Sequence, residues 1–334
     1  MVDLSRFPQV QLTFTPTPLH DVPRLAKAVG LRRLLFKRDD NTGLALGGNK
    51  ARKLEFLLAD AVAQGADAVV TVGGPQSNHC RMTAAAARVC GMQAHLVFNS
   101  YNLPPIDEVQ GNMILDRMLG ASWTFTRKGQ PVSDRMQEVA SALAAQGLKP
   151  YTIPAGGSNA LGILGYVKAA FELSEQCRAL GVTPEYVVCA GGGYGTHAGL
   201  LLGAHLAGLS AQVVGVSISP PATDVRARVA SLVGGASALL EVPAPRSDAV
   251  VWDRYIGDGY GVPTKLSREA QDLVARTEGI LLDHVYTAKA FSGIMGELRR
   301  DGIKPASTVV FVHTGGSPAL FAEQRIYWGR TPPA

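Results

Sequence analysis

The chain has 334 residues, 46% of them hydrophobic, and a net charge of +5, which suits two domains of ordinary size, each with its own core. No Lys/Arg run is longer than a doublet such as Arg32-Arg33 or Arg299-Arg300, and few aromatics lie between basic residues, so the charge reads as solvated surface and no nucleic-acid partner is expected. The apolar stretches fall far short of a membrane span, and the N-terminus lacks a basic start followed by an apolar run, so a soluble, cytoplasmic protein with no membrane partner is expected.

Cys80, Cys90, Cys177 and Cys189 show no C-x-x-C spacing and read as small buried hydrophobes in a reducing compartment rather than a disulfide scaffold.

In chain order, the first informative stretch is "LALGGNKARKLEFLLADAVAQGA" (44–66), where Lys50 follows a Gly-Gly-Asn bend as a helical pattern begins. Leu54, Leu57, Leu58 and Val62 mark the expected buried face, and Lys53 projects from nearly the same side as Lys50. Next come a strand in "ADAVVTVGG" (66–74), a helix in "HCRMTAAAARVCG" (79–91) and a strand in "QAHLVF" (93–98). The order repeats in "EYVVCAGGG" (185–193), "THAGLLLGAHLAG" (196–208) and "QVVGVSI" (212–218). Alternation of this kind predicts an α/β fold of right-handed βαβ units on parallel sheets. The segments 99–112 and 242–263, rich in Pro, Gly and Asp, read as surface excursions or lids.

Ligands of open parallel sheets bind beyond the carboxyl ends of the strands. Here the strand exits are "GGPQSN" (73–78), "PAGGSN" (154–159), "AGGGYGT" (190–196) and "HTGGSP" (313–318). Their Gly, Ser, Thr and Asn content permits close backbone approach and supplies hydrogen bonds, as one shared pocket requires. Each loop taken singly is equally well explained by turn formation.

The 190–196 loop has the makings of an anion site, because a helix N-terminus offers free N–H groups and a favourable dipole. No P-loop pattern occurs, and Thr196 stands where a dinucleotide fingerprint needs its third glycine. The following strand also ends without the acidic residue that would meet a ribose, which counts against an NAD-dependent oxidoreductase and points to a monophosphate. The seven histidines show no metal-ligand spacing, and no metal is expected. His79 and His313 fall on the pocket loops. At Lys50, a helix N-terminus and a neighbouring ammonium both push an amine's pKa down, which suits attack on an aldehyde. An ordinary solvated helix with two lysines fits the same segment.

The segments "KRDDNTGLALGGNKARKLEFL", "GGPQSNH", "IPAGGSNALGILGYV", "EGILLDHVYTAKAFSGI" and "VVFVHTGGSPALF" together resemble the pyridoxal-phosphate enzymes of the 1-aminocyclopropane-1-carboxylate deaminase and D-cysteine desulfhydrase family. The resemblance runs in order from about residue 5 to 322. It implies the tryptophan-synthase-β fold (fold type II): two open twisted-sheet domains with pyridoxal 5'-phosphate in the cleft between them. The smaller domain would span residues 51–160, and the larger 1–50 and 161–334. It also implies a homodimer.

Carried over residue by residue, the resemblance makes Lys50 the lysine that holds the cofactor and Asn78 the partner of its phenolic oxygen. Gly191, Gly192, Gly193, Tyr194, Gly195 and Thr196 would cradle the phosphate. Gln76, Ser77, Asn78 and His79 would meet the substrate, and Tyr260 and Tyr286 would line its pocket; without the resemblance these two read as a turn aromatic and a residue preceding a helix cap. Thr287 and Thr314 stand where the cyclopropane deaminases carry glutamate and leucine, and where D-cysteine desulfhydrases carry hydroxyls.

The resemblance therefore implies β-elimination from a small β-substituted amino acid, with D-cysteine giving pyruvate, hydrogen sulfide and ammonia. Either Lys50 or Ser77 would take the Cα proton, and Tyr260 or Tyr286 would assist the leaving group. Release of sulfite from L-cysteate and deamination of 1-aminocyclopropane-1-carboxylate are the alternatives. The chain departs from the family pattern at Gly193, often serine, at Tyr194, commonly glycine, and at His284, usually proline.

Overall fold

The computed structural model describes residues 2–99, 109–246 and 248–322. Most of the segment expected to be irregular over 99–112 therefore lies outside the described residues.

Ten strands follow one another along the chain: β1 (Leu19–Asp21), β2 (Arg33–Lys37), β3 (Ala68–Gly73), β4 (Gln93–Phe98), β5 (Ser122–Phe125), β6 (Pro150–Ile153), β7 (Tyr186–Gly191), β8 (Gln212–Ser217), β9 (Val250–Trp252) and β10 (Thr308–Val312). They form a six-stranded sheet in the order β1-β2-β10-β7-β8-β9 and a four-stranded sheet in the order β5-β4-β3-β6. Every pairing is parallel except that of β1 with β2. The helices are α1 (Pro23–Val29), α2 (Lys50–Ala63), α3 (Asn78–Val89), α4 (Asn112–Met118), α5 (Val132–Ala145), α6 (Leu164–Ala179), α7 (Gly195–Ala207), α8 (Ala222–Leu240), α9 (Lys265–Glu278) and α10 (Thr287–Leu298).

Parallel strands covered by helices on both faces read as continuous apolar runs, and β10 (TVVFV) is buried at every position. One face of the large sheet packs Phe36, Val188, Val214 and Phe311 against α9 and α10. The other packs Leu35, Val187 and Val310 against α6 and α7. In the small sheet, Val69, Leu96 and Ile153 meet α2 and α3, while Val70, Val72 and Val97 meet α5.

α2 carries Lys50 on its first residue, and the bend before it requires glycine. Gly47 lies at φ +70°, and a Cβ there would fall 1.8 Å from the Asp40 carbonyl oxygen. The helix is buried nearly all round, Arg52, Lys53 and Glu55 included, whereas Val62, expected on the buried face, is 49% exposed. For Arg52 the reason is ionic. Arg52 pairs with Asp39 and Glu172, each at 2.9 Å, and Lys37 pairs with Glu172 as well, so α2 is fastened to the loop after β2 and to α6. Two cations and two carboxylates compensate one another, as buried charges must.

Candidate active site

The carboxyl ends of β3, β6, β7, β8 and β10 open onto one cavity of about 310 Å³, within the range of small-ligand sites. Of the residues singled out in the sequence, Lys50, Ser77, Asn78 and His79 line it together with Gly192, Gly193, Tyr194 and Thr196. Tyr260, Tyr286 and Thr314 line it as well. Four others stand outside the lining. Gly191 ends β7 and Gly195 starts α7. Gln76 donates to the Gln110 carbonyl (2.9 Å) and accepts from Asn112 N (2.9 Å). The Thr287 hydroxyl donates to Asp283 Oδ1 (2.7 Å) and accepts from Asp283 N (2.8 Å).

Lys50 Nζ donates to Asn49 Oδ1 (2.7 Å), and Asn49 Nδ2 donates to Thr196 Oγ1 (2.8 Å). The Lys50 pKa is lowered to about 8, by burial first and by the Arg81 charge second, with Asp283 opposing both. The depressed amine expected from the sequence is thus present, but burial and Arg81 depress it rather than Lys53. Lys53 is itself pushed well down by burial and by Lys50.

Lys53 Nζ donates to the Gly156 carbonyl (3.0 Å) and to Ser158 Oγ (3.2 Å) directly beneath the 190–196 loop. A Cβ on Gly195 would lie 2.6 Å from Lys53 Nζ, and one on Gly193 would lie 2.9 Å from Ser158 Oγ. Glycine at both positions therefore lets the loop backbone pack directly on Lys53 and Ser158 at the N-terminus of α7, where the helix dipole favours an anion. Within the loop, Tyr194 adopts a left-handed conformation, φ 59° and ψ −8°.

Ser77 caps α3, its Oγ accepting from Cys80 N (3.2 Å), which satisfies a free N–H of the first turn. His79 is buried, with Nε2 2.7 Å from Thr71 Oγ1. Thr71 spends its own proton on the Ile153 carbonyl (2.8 Å), so His79 donates from Nε2. Burial, reinforced by Lys50 and Lys53, keeps it neutral. His313 lies deeper, with Nε2 3.0 Å from the Leu281 carbonyl and Nδ1 accepting from Gly315 N (3.2 Å). Asp283 accepts from Val285 N and Tyr286 N, each at 2.9 Å, and so fixes the turn that presents Tyr286.

Local pattern did not single out Asn49 or Lys53 as pocket groups, or Ser158 as a partner of Lys53. The only signals were the position of Asn49 inside the Gly-Gly-Asn bend, the Lys50/Lys53 spacing of one turn, and the polar loop containing Ser158.

A low-pKa amine beside a glycine-rich helix N-terminus and a second buried lysine, at the exits of parallel strands, suits a phosphorylated ligand that reacts with an amine. Residues 10–315 match the family described as pyridoxal-phosphate dependent enzyme. The chain is 42% identical over 322 residues to a D-cysteine desulfhydrase of Klebsiella pneumoniae (strain 342), covering 96% of this chain and 97% of that one. A crystal structure of an ACC deaminase homologue superposes with a TM-score of 0.89 at 34% identity, covering 97% of both chains. A fungal L-serine ammonia-lyase from Rhizomucor miehei shares the fold, with a TM-score of 0.66 at 20% identity and coverage of 96% and 98%. The chain belongs to the pyridoxal-phosphate-dependent enzymes, and its two sheets adopt the fold type II architecture. No helix among the described residues is long and apolar enough to cross a membrane.

Proposed function

We propose that this enzyme catalyses β-elimination from D-cysteine, which with water yields pyruvate, hydrogen sulfide and ammonia. The reading fits the family match and the 42% identity to a D-cysteine desulfhydrase. The observation that carries it is the charge of the cavity: among the described residues, its only Lys or Arg side chains are Lys50 and Lys53.

The residues present fit pyridoxal phosphate. Gly193, Gly195, Thr196 and Lys53 would hold the phosphate, Lys50 the aldehyde carbon, and Asn78 a ring oxygen. When bound, the cofactor supplies an electron sink that makes the substrate Cα proton acidic.

The N-terminus of α3, with the Ser77 hydroxyl, binds the substrate carboxylate. Ser77 Oγ already accepts a helix N–H, which lowers its basicity, so Lys50 Nζ takes the Cα proton. Tyr286, hydrogen-bonded to Tyr260 at 2.7 Å, gives a proton to the departing sulfur. With Lys53 engaged by the phosphate and Lys50 by catalysis, a β-sulfonate meets no free cation, and its burial is penalised. That disfavours L-cysteate.

The four strands of the small sheet all fall between Ala68 and Ile153, in keeping with a division into 51–160 against 1–50 plus 161–334, which we propose as the domain boundary. A cytoplasmic homodimer is the proposed setting.

The test is a product panel with the purified holoenzyme: sulfide from D-cysteine, sulfite from L-cysteate and 2-oxobutanoate from 1-aminocyclopropane-1-carboxylate. Sulfide release that dominates by tenfold or more in kcat/KM is expected. 2-Oxobutanoate as the only product overturns the reading in favour of the activity named for the structural relative.

A further inference from the structure

Asn78 lines the cavity and is only 8% exposed. A carboxamide has an accepting end and a donating end, so whichever faces the cavity decides which ligand atom is received there. Residues behind the cavity wall fix that choice.

Arg81, on the next turn of α3, is 0% exposed and carries donors only. Its Nη1 donates to Asn78 Oδ1 (3.3 Å) and to Asn112 Oδ1 (3.0 Å), and its Nη2 donates to the Gly47 carbonyl (2.8 Å). Asn112, the first residue of α4, is likewise 0% exposed. Its Nδ2 donates to the Gln76 carbonyl (2.9 Å), which only accepts, so the Asn112 amide lies one way round. The same Nδ2 donates to Asn78 Oδ1 (3.2 Å). Two donors converge on Asn78 Oδ1, and Nδ2 of Asn78 has no protein partner among the described residues. The orientation follows from partners of single polarity, not from the density of one atom against another.

We propose that Arg81 and Asn112 are positioning residues that hold Asn78 as a hydrogen-bond donor toward the cavity, so that the ligand atom received there is an accepting oxygen, favoured in its proton-free form. The proposal rests on the reading above for the identity of that atom, the ring oxygen of pyridoxal phosphate. Arg81 does more than turn the amide. Through the Gly47 carbonyl the same guanidinium holds the bend that presents Lys50, so one buried cation sets both groups on which the cofactor ring depends. Burial lowers Arg81 to about 10, with Asp116 acting in the opposite direction, and it remains a cation and a full donor at neutral pH.

Asn112→Asp is the decisive variant because it keeps shape and still accepts from Arg81, but sets a second oxygen against Asn78 Oδ1 and so turns the amide over. The dissociation constant for pyridoxal phosphate is expected to rise ten- to a hundredfold, the weight of one hydrogen bond to a charged acceptor. The visible absorption of the bound cofactor is expected to shift at fixed pH. Arg81→Lys should move both quantities in the same direction. Wild-type affinity and an unmoved spectrum in folded Asn112→Asp overturn the proposal. If the variants do not fold, neutron diffraction of the wild-type protein decides it: deuterons on the cavity-facing atom of Asn78 support the proposal, and a bare oxygen there overturns it. A wild-type protein that takes up no pyridoxal phosphate overturns the cofactor reading instead, and the diffraction result still decides the amide.

Discussion

The hydroxyl oxygens of Tyr260 and Tyr286 lie 2.7 Å apart, with their rings edge to face and centroids 5.9 Å from each other. Either hydroxyl can be the donor in the hydrogen bond between them. Burial, with Tyr260 adding to it, holds the Tyr286 phenol well above its ordinary pKa, so it stays protonated. Lys50 Nζ lies 6.0 Å from the Tyr286 ring centroid, which places the proposed base and the proposed acid in the same chamber.

Tyr286→Phe should therefore lower kcat for D-cysteine by roughly a hundredfold, the lower range for loss of a general acid. The loss should be less than about tenfold for β-chloro-D-alanine, because chloride needs no proton to depart. Initial rates with both substrates check this. An equal loss for the two would assign Tyr286 to binding rather than to the leaving group.

Lys50 should capture aldehydes with a pH profile set by its own environment. Only the neutral amine attacks, and burial together with Arg81 lowers its pKa to about 8, so the neutral fraction rises with pH and saturates above that value. Mixing the cofactor-free protein with pyridoxal, which brings no phosphate charge, should give a capture rate that climbs tenfold per pH unit below pH 7.5. It should level off above pH 8.5. A rate still climbing at pH 10 would mean an unperturbed lysine.

The strand exits were legible because β-branched runs ending in polar glycine loops have a local cause, the parallel sheet covered on both faces. The strand expected at 66–74 appears as Ala68–Gly73 and the helix expected at 79–91 as Asn78–Val89. The environment of α2 was not legible. Its pattern suggests charged residues in solvent, yet Arg52 and Lys53 are 2% and 1% exposed. Their partners, Asp39, Glu172, Gly156 and Ser158, come from segments as much as 120 residues away. A period of 3.6 residues records which face is apolar; it carries no information on which distant carboxylate will meet a guanidinium. Arg81 was hidden in the same way, an apparently ordinary basic residue in an alanine-rich helix.

Lys53→Met separates the phosphate from the rest of the cofactor. Affinity for pyridoxal phosphate should fall by roughly ten- to a hundredfold, the range for a charge-assisted contact, while affinity for pyridoxal should hold. The cofactor-free variant should also be more stable than the wild type at neutral pH. The Lys53 pKa is lowered well below the ordinary value on folding, so the folded state disfavours the proton that the unfolded chain carries. The penalty is full below the folded pKa and fades as pH rises toward about 10.4, where the unfolded lysine also loses its proton. Thermal melts of both cofactor-free proteins between pH 6 and 10 should therefore converge at the alkaline end. A gap that stays constant across the series would trace the difference to packing, not charge.

Tyr194 sets two opposing terms against each other. Its left-handed backbone, φ 59°, costs a non-glycine residue about 1–2 kcal/mol, and Tyr194→Gly removes that cost. The ring, however, is 6% exposed and packs with Phe56, Ile163, Leu164 and Val225, and deleting a buried aromatic costs about 3–5 kcal/mol. Packing outweighs strain, so Tyr194→Gly should destabilise the protein by about 1–4 kcal/mol in urea unfolding, although glycine is the better residue for the backbone. Tyr194→Asn, which tolerates the left-handed region better than most side chains but also gives up the ring, should be destabilised as well. If Tyr194→Gly instead proves more stable than the wild type, strain dominates at this position and the ring contributes little to the core beneath the 190–196 loop.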